Sequence, residues 1–208
     1  MYVFQRQMRV MGGANAIGWA LEITSRVREV TEMPVSLWLG QAGFPNGSLA
    51  WSMPTEGMAQ LTEMNDKLQA DDTLSKLVID HGRDFVVEVA VDRLAMIIHG
   101  EISGEAPVGS FVAAVSANAA PGKWGEAGAW ATSIADMYAG IVGKPVVVTA
   151  TTAGSMGEYS WFIRHEDGAS IDAATAAAMA DEAYGAELDR AGHLFEPGST
   201  WGFARRIA

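Results

Sequence analysis

The chain has 208 residues, of which 49% are apolar and 19% charged, a balance that belongs to globular proteins and excludes intrinsic disorder. Its net charge of −11 is shared between the halves: residues 1–104 carry 8 basic and 13 acidic side chains, and residues 105–208 carry 6 and 12, so no basic stripe exists to neutralise a nucleic acid or an anionic membrane surface. Cysteine is absent, which excludes disulfides, thiolate metal sites and a cysteine nucleophile.

Tyr2-Val3-Phe4 enters strand-like sequence directly, with no basic or apolar leader pattern, so a cytoplasmic location is expected. No apolar run approaches the roughly 20 residues of a membrane helix. From Tyr2 to Val10 apolar residues alternate with polar ones, except that Arg6 interrupts the apolar face. Gly12-Gly13 breaks this strand, and an amphipathic helix follows on Ala16/Ile17, Ala20/Leu21, Ile23, Val27 and Val30. Pro34 stops the helix. Val35–Ala42 reads as a second strand, Pro45-Asn46-Gly47-Ser48 as a hairpin turn, and Leu49, Trp51 and Met53 as a third strand. A helical pattern runs from Met58 to about Phe85 with a break near Asp71-Asp72, and strand sequence continues to His99 with a kink.

Gly100–Val108 reads as a linker. Beyond it come a strand over Phe111–Asn118, a helix over Trp124–Ile141 and a strand over Val146–Thr149. A further strand spans Tyr159–His165, an alanine-rich helix reaches about Phe195, and a closing strand covers Thr200–Ile207. The two halves match in register. Trp19-Ala20, Ile23, Pro34-Val35 and Ala42-Gly43 recur 111 residues later as Trp130-Ala131, Ile134, Pro145-Val146 and Ala153-Gly154. Trp161 stands in the place of Trp51, one residue out of that register. The expected organisation is α+β: two tandem ferredoxin-like β-α-β-β-α-β repeats over 1–100 and 110–208, joined by 101–109.

Two such units in one chain resemble the dimeric α+β barrel superfamily in fused form, closest to its NIPSNAP-like and antibiotic-monooxygenase-like members. The residues carrying the likeness are the third-strand tryptophans Trp51 and Trp161 and the acidic stretch Leu68-Gln69-Ala70-Asp71-Asp72-Thr73-Leu74. The resemblance implies a pseudo-dimeric barrel with its two sheets face to face, helices outside and a cavity between. It also implies one of several activities, cofactor-free monooxygenation among them. Those monooxygenases use an Asn, Trp and His combination, and no strand asparagine here faces Trp51 or Trp161.

Few residues are candidates for chemistry. His99 and Arg6 are the catalytic candidates: a strand histidine for proton transfer, and an arginine on an apolar face that needs either a carboxylate or an anionic ligand. Trp38, Trp51, Trp161, His165 and Trp201 are candidates for lining a pocket for an aromatic molecule. His81 and His193 fall near the ends of the second helices, where haem-binding relatives place an iron ligand. No metal motif, dinucleotide loop or nucleophile elbow occurs. The leading expectation is a small-molecule-binding barrel, or a monooxygenase-like enzyme without cofactor. The alternatives are a non-catalytic protein whose barrel is filled by its own side chains, and a haem-binding barrel. Exposed sheet edges leave homodimerisation open.

Overall fold

A computed structural model describes all 208 residues. The first half contains β1 (Tyr2–Val10), α1 (Ala14–Thr31), β2 (Ser36–Ala42), β3 (Ser48–Thr55), α2 (Met58–Gln69), α3 (Asp72–Phe85) and β4 (Val86–His99). The second contains β5 (Phe111–Asn118), α4 (Trp124–Val142), β6 (Val146–Ala153), β7 (Glu158–His165), α5 (Gly168–Ala180), α6 (Glu182–Ala191) and β8 (Thr200–Arg206). All eight strands close into one antiparallel barrel in the order β1-β3-β2-β8-β5-β7-β6-β4. The halves are joined by a pseudo-twofold exchange: β2 pairs with β8, and β4 pairs with β6. The second strand of each repeat thus sits beside the fourth strand of the other. Closure leaves no free sheet edge except along the start of β4, whose pairing with β6 begins only at Leu94.

Local sequence explains most boundaries. Asp71 caps α3 by accepting from the Leu74 amide, and Arg26 holds its carboxyl below the usual carboxylate range. Asp181 caps α6 through the Tyr184 amide. These aspartates are 110 residues apart, as Trp51 and Trp161 are. The repeat therefore shifts by one residue after the second strand, where the hairpin is shorter. Asp181 also corrects the expected single alanine-rich helix. A side-chain cap offers the backbone a new start, and α5 ends there. α1 ends on Glu32 at φ 59, the left-handed position that its counterpart Gly143 takes at φ 67 without a Cβ penalty.

α1–α3 cover the outer face of the first sheet and α4–α6 that of the second. Leu37, Leu49, Trp51 and Met53 face the first helical layer; Val146, Val148, Trp161 and Ile163 face the second. The opposite strand face points into the barrel. That lumen is polar: Arg93 Nη1 lies 3.0 Å from Glu158 Oε1, Ser116 and Ser160 share a 2.7 Å hydrogen bond, and Gln5, Thr149 and Thr151 complete the wall. The pocket these side chains enclose has a volume of about 10 Å³, room for about one water.

Candidate functional site

In place of a large cavity between the sheets, the lumen wall along β1, β4, β6 and β7 encloses a small polar pocket. The large cavity lies on the other face of the first sheet, beneath α1, α2 and α3. Its volume is about 580 Å³, and 15 of its 20 lining residues are hydrophobic. Phe4, Met8, Trp51 and Met53 form the floor from β1 and β3; Trp19 and Ile23 come from α1, Met64 and Leu68 from α2, and Val78 and Ile79 from α3. Val78 and Ile79 are exposed, so the cavity has a mouth along α3.

Both indoles of the cavity wall are already satisfied. Trp51 Nε1 donates to Thr24 Oγ1 at 2.8 Å and Trp19 Nε1 to the Leu77 carbonyl at 2.9 Å, so the rings are fixed and offer a ligand their apolar faces. The other lining residues are Arg6, Ser52, Asn65, Gly82 and Arg83. Arg6 is held by Asp92 through two 2.7 Å hydrogen bonds, which raise its already high pKa further. Ser52 borders the cavity, but its Oγ turns to the lumen side of β3, where it accepts from Trp38 Nε1 at 2.9 Å. The Asn65 and Arg83 side chains make no hydrogen bond to the protein. Gly82 leaves open space above Trp19: a Cβ there would stand 3.6 Å from the indole Cζ2.

The residues singled out from sequence therefore separate. Arg6 and Trp51 line the cavity. Trp38 points to the lumen side of β2, opposite Leu37. His99 Nε2 lies 3.1 Å from Asp136 Oδ1 on α4, outside the cavity wall. Trp161 is buried under α4, donating to the Ala131 carbonyl, and Trp201 lies half-exposed against Phe203 at 5.6 Å. His165 is fully buried with Nδ1 3.1 Å from Ser170 Oγ; burial, aided by the nearby Lys144 charge, pushes its pKa down. It anchors the start of α5 rather than a pocket. His81 and His193 are both exposed and neither lines the cavity. The wall offers no imidazole to an iron, so these residues do not fit a haem. No cluster of three or more His, Asp or Glu side chains is placed to hold a metal ion.

Asn65 and Arg83 went unnoticed in the sequence, yet each left a trace. Leu61, Met64, Asn65 and Leu68 share one helical face, as do Val78, Ile79, Gly82 and Arg83. A polar residue or glycine interrupting an otherwise apolar stripe was the available signal.

The second half fills the equivalent space. Trp130, Trp161 and Phe195 meet edge to face, with centroids 6.1, 5.3 and 6.0 Å apart. Phe85, the counterpart of Phe195 at the 110 offset, touches Trp19 at 5.9 Å and stays clear of Trp51. Strand pairing sets Val115 where Arg6 stands and Trp201 where Asp92 stands. An ion pair in one half is an apolar pair in the other.

No protein-family model matches the sequence, and no curated protein does. Solved structures do match in three dimensions. A candidate monooxygenase of Fusobacterium nucleatum superposes with a TM-score of 0.74 at 7% identity, covering 100% of this chain and 92% of its own. An anthrone oxidase-like protein gives 0.71 at 10%, covering 100% and 91%. A chlorite dismutase variant from Candidatus Nitrospira defluvii gives 0.53 at 11%, covering 97% and 91%. At these identities the likeness establishes the fold, a dimeric α+β barrel built in a single chain. No helix is long and apolar enough to cross a membrane.

Proposed function

We propose that the chain binds a planar aromatic or polycyclic molecule between its first-half sheet and helices, and that its reaction class is cofactor-free oxygenation. The observation that supports this best is the cavity of about 580 Å³, three-quarters apolar, in one repeat, with the same space packed by aromatics in the other. Ligand sites run roughly 300–1,000 Å³ with few polar groups. The candidate monooxygenase and anthrone oxidase-like neighbours favour the reaction class.

For an anthrone-type substrate the chemistry balances without an external reductant. The ring methylene loses a proton to give an enolate, dioxygen adds at that carbon, and loss of water leaves a carbonyl. One CH2 and one O2 thus become one C=O and one H2O. The cavity wall holds no histidine and no carboxylate, so ionisation rests on the substrate's own acidity. The wall contributes an apolar surface and one cationic group not paired within the protein, Arg83, that favours the ionised form. The test is oxygen uptake with anthrone. Saturable uptake, one O2 per anthrone, abolished by Gly82→Phe, supports the reading. A rate equal to buffer removes the oxygenase part, and absence of anthrone binding removes the cavity part as well.

A further inference from the structure

The cavity carries a charge that its apolar character does not account for. Of the ten arginines, nine are committed to the protein. Arg6, Arg9, Arg26, Arg28, Arg93, Arg190 and Arg206 pair with carboxylates, and Arg164 and Arg205 donate to backbone carbonyls. Arg83 alone makes no hydrogen bond and no ion pair. Carboxylates outnumber cations 25 to 14 in this chain, so lack of candidate partners does not explain it. Its place in the last turn of α3 suits the helix dipole, a contribution of about 0.3–1 kcal/mol. The dipole does not explain why it stands on the cavity wall, among Ile79, Gly82 and Val86. Asn65, across the wall on α2, is uncommitted in the same way. Arg6 contributes no net charge there, because Asp92 neutralises it.

We propose that the molecule this cavity takes is an aromatic oxyanion. Its ring system lies against Trp19, Trp51 and Met53, its carboxylate, phenolate or enolate oxygen meets the Arg83 guanidinium, and Asn65 supplies a neutral hydrogen bond. This rests on the cavity reading above and adds the substrate's charge. A planar guanidinium matches an oxyanion's geometry and loses little hydration on pairing. A cation at this place also lowers the pKa of a substrate that must ionise before it meets oxygen.

The test is a tryptophan-fluorescence titration of the full chain with 9-anthracenecarboxylate and with neutral 9-anthracenemethanol. The anion should bind about tenfold or more tightly than the alcohol, as one charge-assisted contact implies. Arg83→Gln should bring the two affinities together without weakening the alcohol, and Arg83→Lys should restore part of the preference. Because Arg83 is exposed, neither substitution threatens the fold. Equal affinities in the unsubstituted protein, or a preference that survives Arg83→Gln, overturn the proposal while leaving the cavity reading intact. Binding of neither compound overturns both.

Discussion

The two halves share seven matched strand and helix segments and one pattern of sheet closure, yet they treat the space beneath their helices in opposite ways. In the second half Phe195 sits between Trp130 and Trp161 and closes an aromatic cluster. In the first, the one aromatic ring that Phe85 meets is that of Trp19, and the floor beside Trp51 stays open. The difference lies in how each last strand begins. β4 starts at Val86, directly after α3, and runs 14 residues. In the second half α6 ends at Ala191, Phe195 is fixed by an isolated bridge to Ala119, and β8 starts at Thr200 with only 7 residues. Within one architecture, the two halves of this chain thus differ in where one ring is anchored, and the open space goes with that difference.

Removing that ring is the most forceful way to break the contrast. Phe195→Ala should destabilise the chain by about 3 kcal/mol, since its ring contacts with Trp130 and Trp161 are lost and a void opens; urea denaturation measures it. The variant should also gain a second aromatic binding site, seen as a stoichiometry of two per chain. In the first half Gly82→Ala sharpens the comparison with two effects of opposite benefit. The new Cβ meets the Trp19 ring at an ordinary 3.6 Å, and replacing a glycine in the last turn of α3 should stabilise by roughly 0.5–1 kcal/mol. The same methyl narrows the cavity and should weaken aromatic binding severalfold, so a more stable protein should bind less well.

Glu32→Gly copies the second half's helix end into the first. Relief of a left-handed non-glycine residue, roughly 1–2 kcal/mol, is partly offset by the greater freedom of glycine in the unfolded chain. A net gain of about 0.5 kcal/mol in thermal or urea stability is expected. The smallest effect concerns His165. Its folded pKa lies below the ordinary value of about 6.5, so folding favours the neutral ring. That contribution is complete above about pH 6.5 and is lost as pH falls toward the folded value. The denaturation midpoint should therefore decline between pH 7.5 and 5.5, and His165→Gln should flatten that decline. Glu166, held at about 2 by Lys144, titrates well below this window and does not contribute to it.

The repeat made the fold legible. Matched tryptophans, the Pro-Val strand starts and the Ala-Gly strand ends gave the element order, because turn chemistry and periodicity are local. The alternation on β3 even placed Trp51 on one face and Ser52, with its partner Trp38, on the other. Which face held empty space was not local information. Both faces of each sheet are covered, one by helices and one by the opposite sheet, and only packing volumes distinguish them. Arg6 was legible as a buried-face cation, yet its partner Asp92 is 86 residues away. The tryptophans shared one composition signal and divided among cavity floor, lumen, filled core and surface. Asn65 and Arg83 lay unremarked within helical stripes because no sequence rule says a stripe faces a void.

The central claim is that a single aromatic site exists per chain and lies in the first half. A crystal soaked with a brominated naphthalene locates it directly through the anomalous signal of bromine. The account predicts one peak per chain between Trp51 and α3. A peak in the barrel lumen, or among Trp130, Trp161 and Phe195, contradicts it.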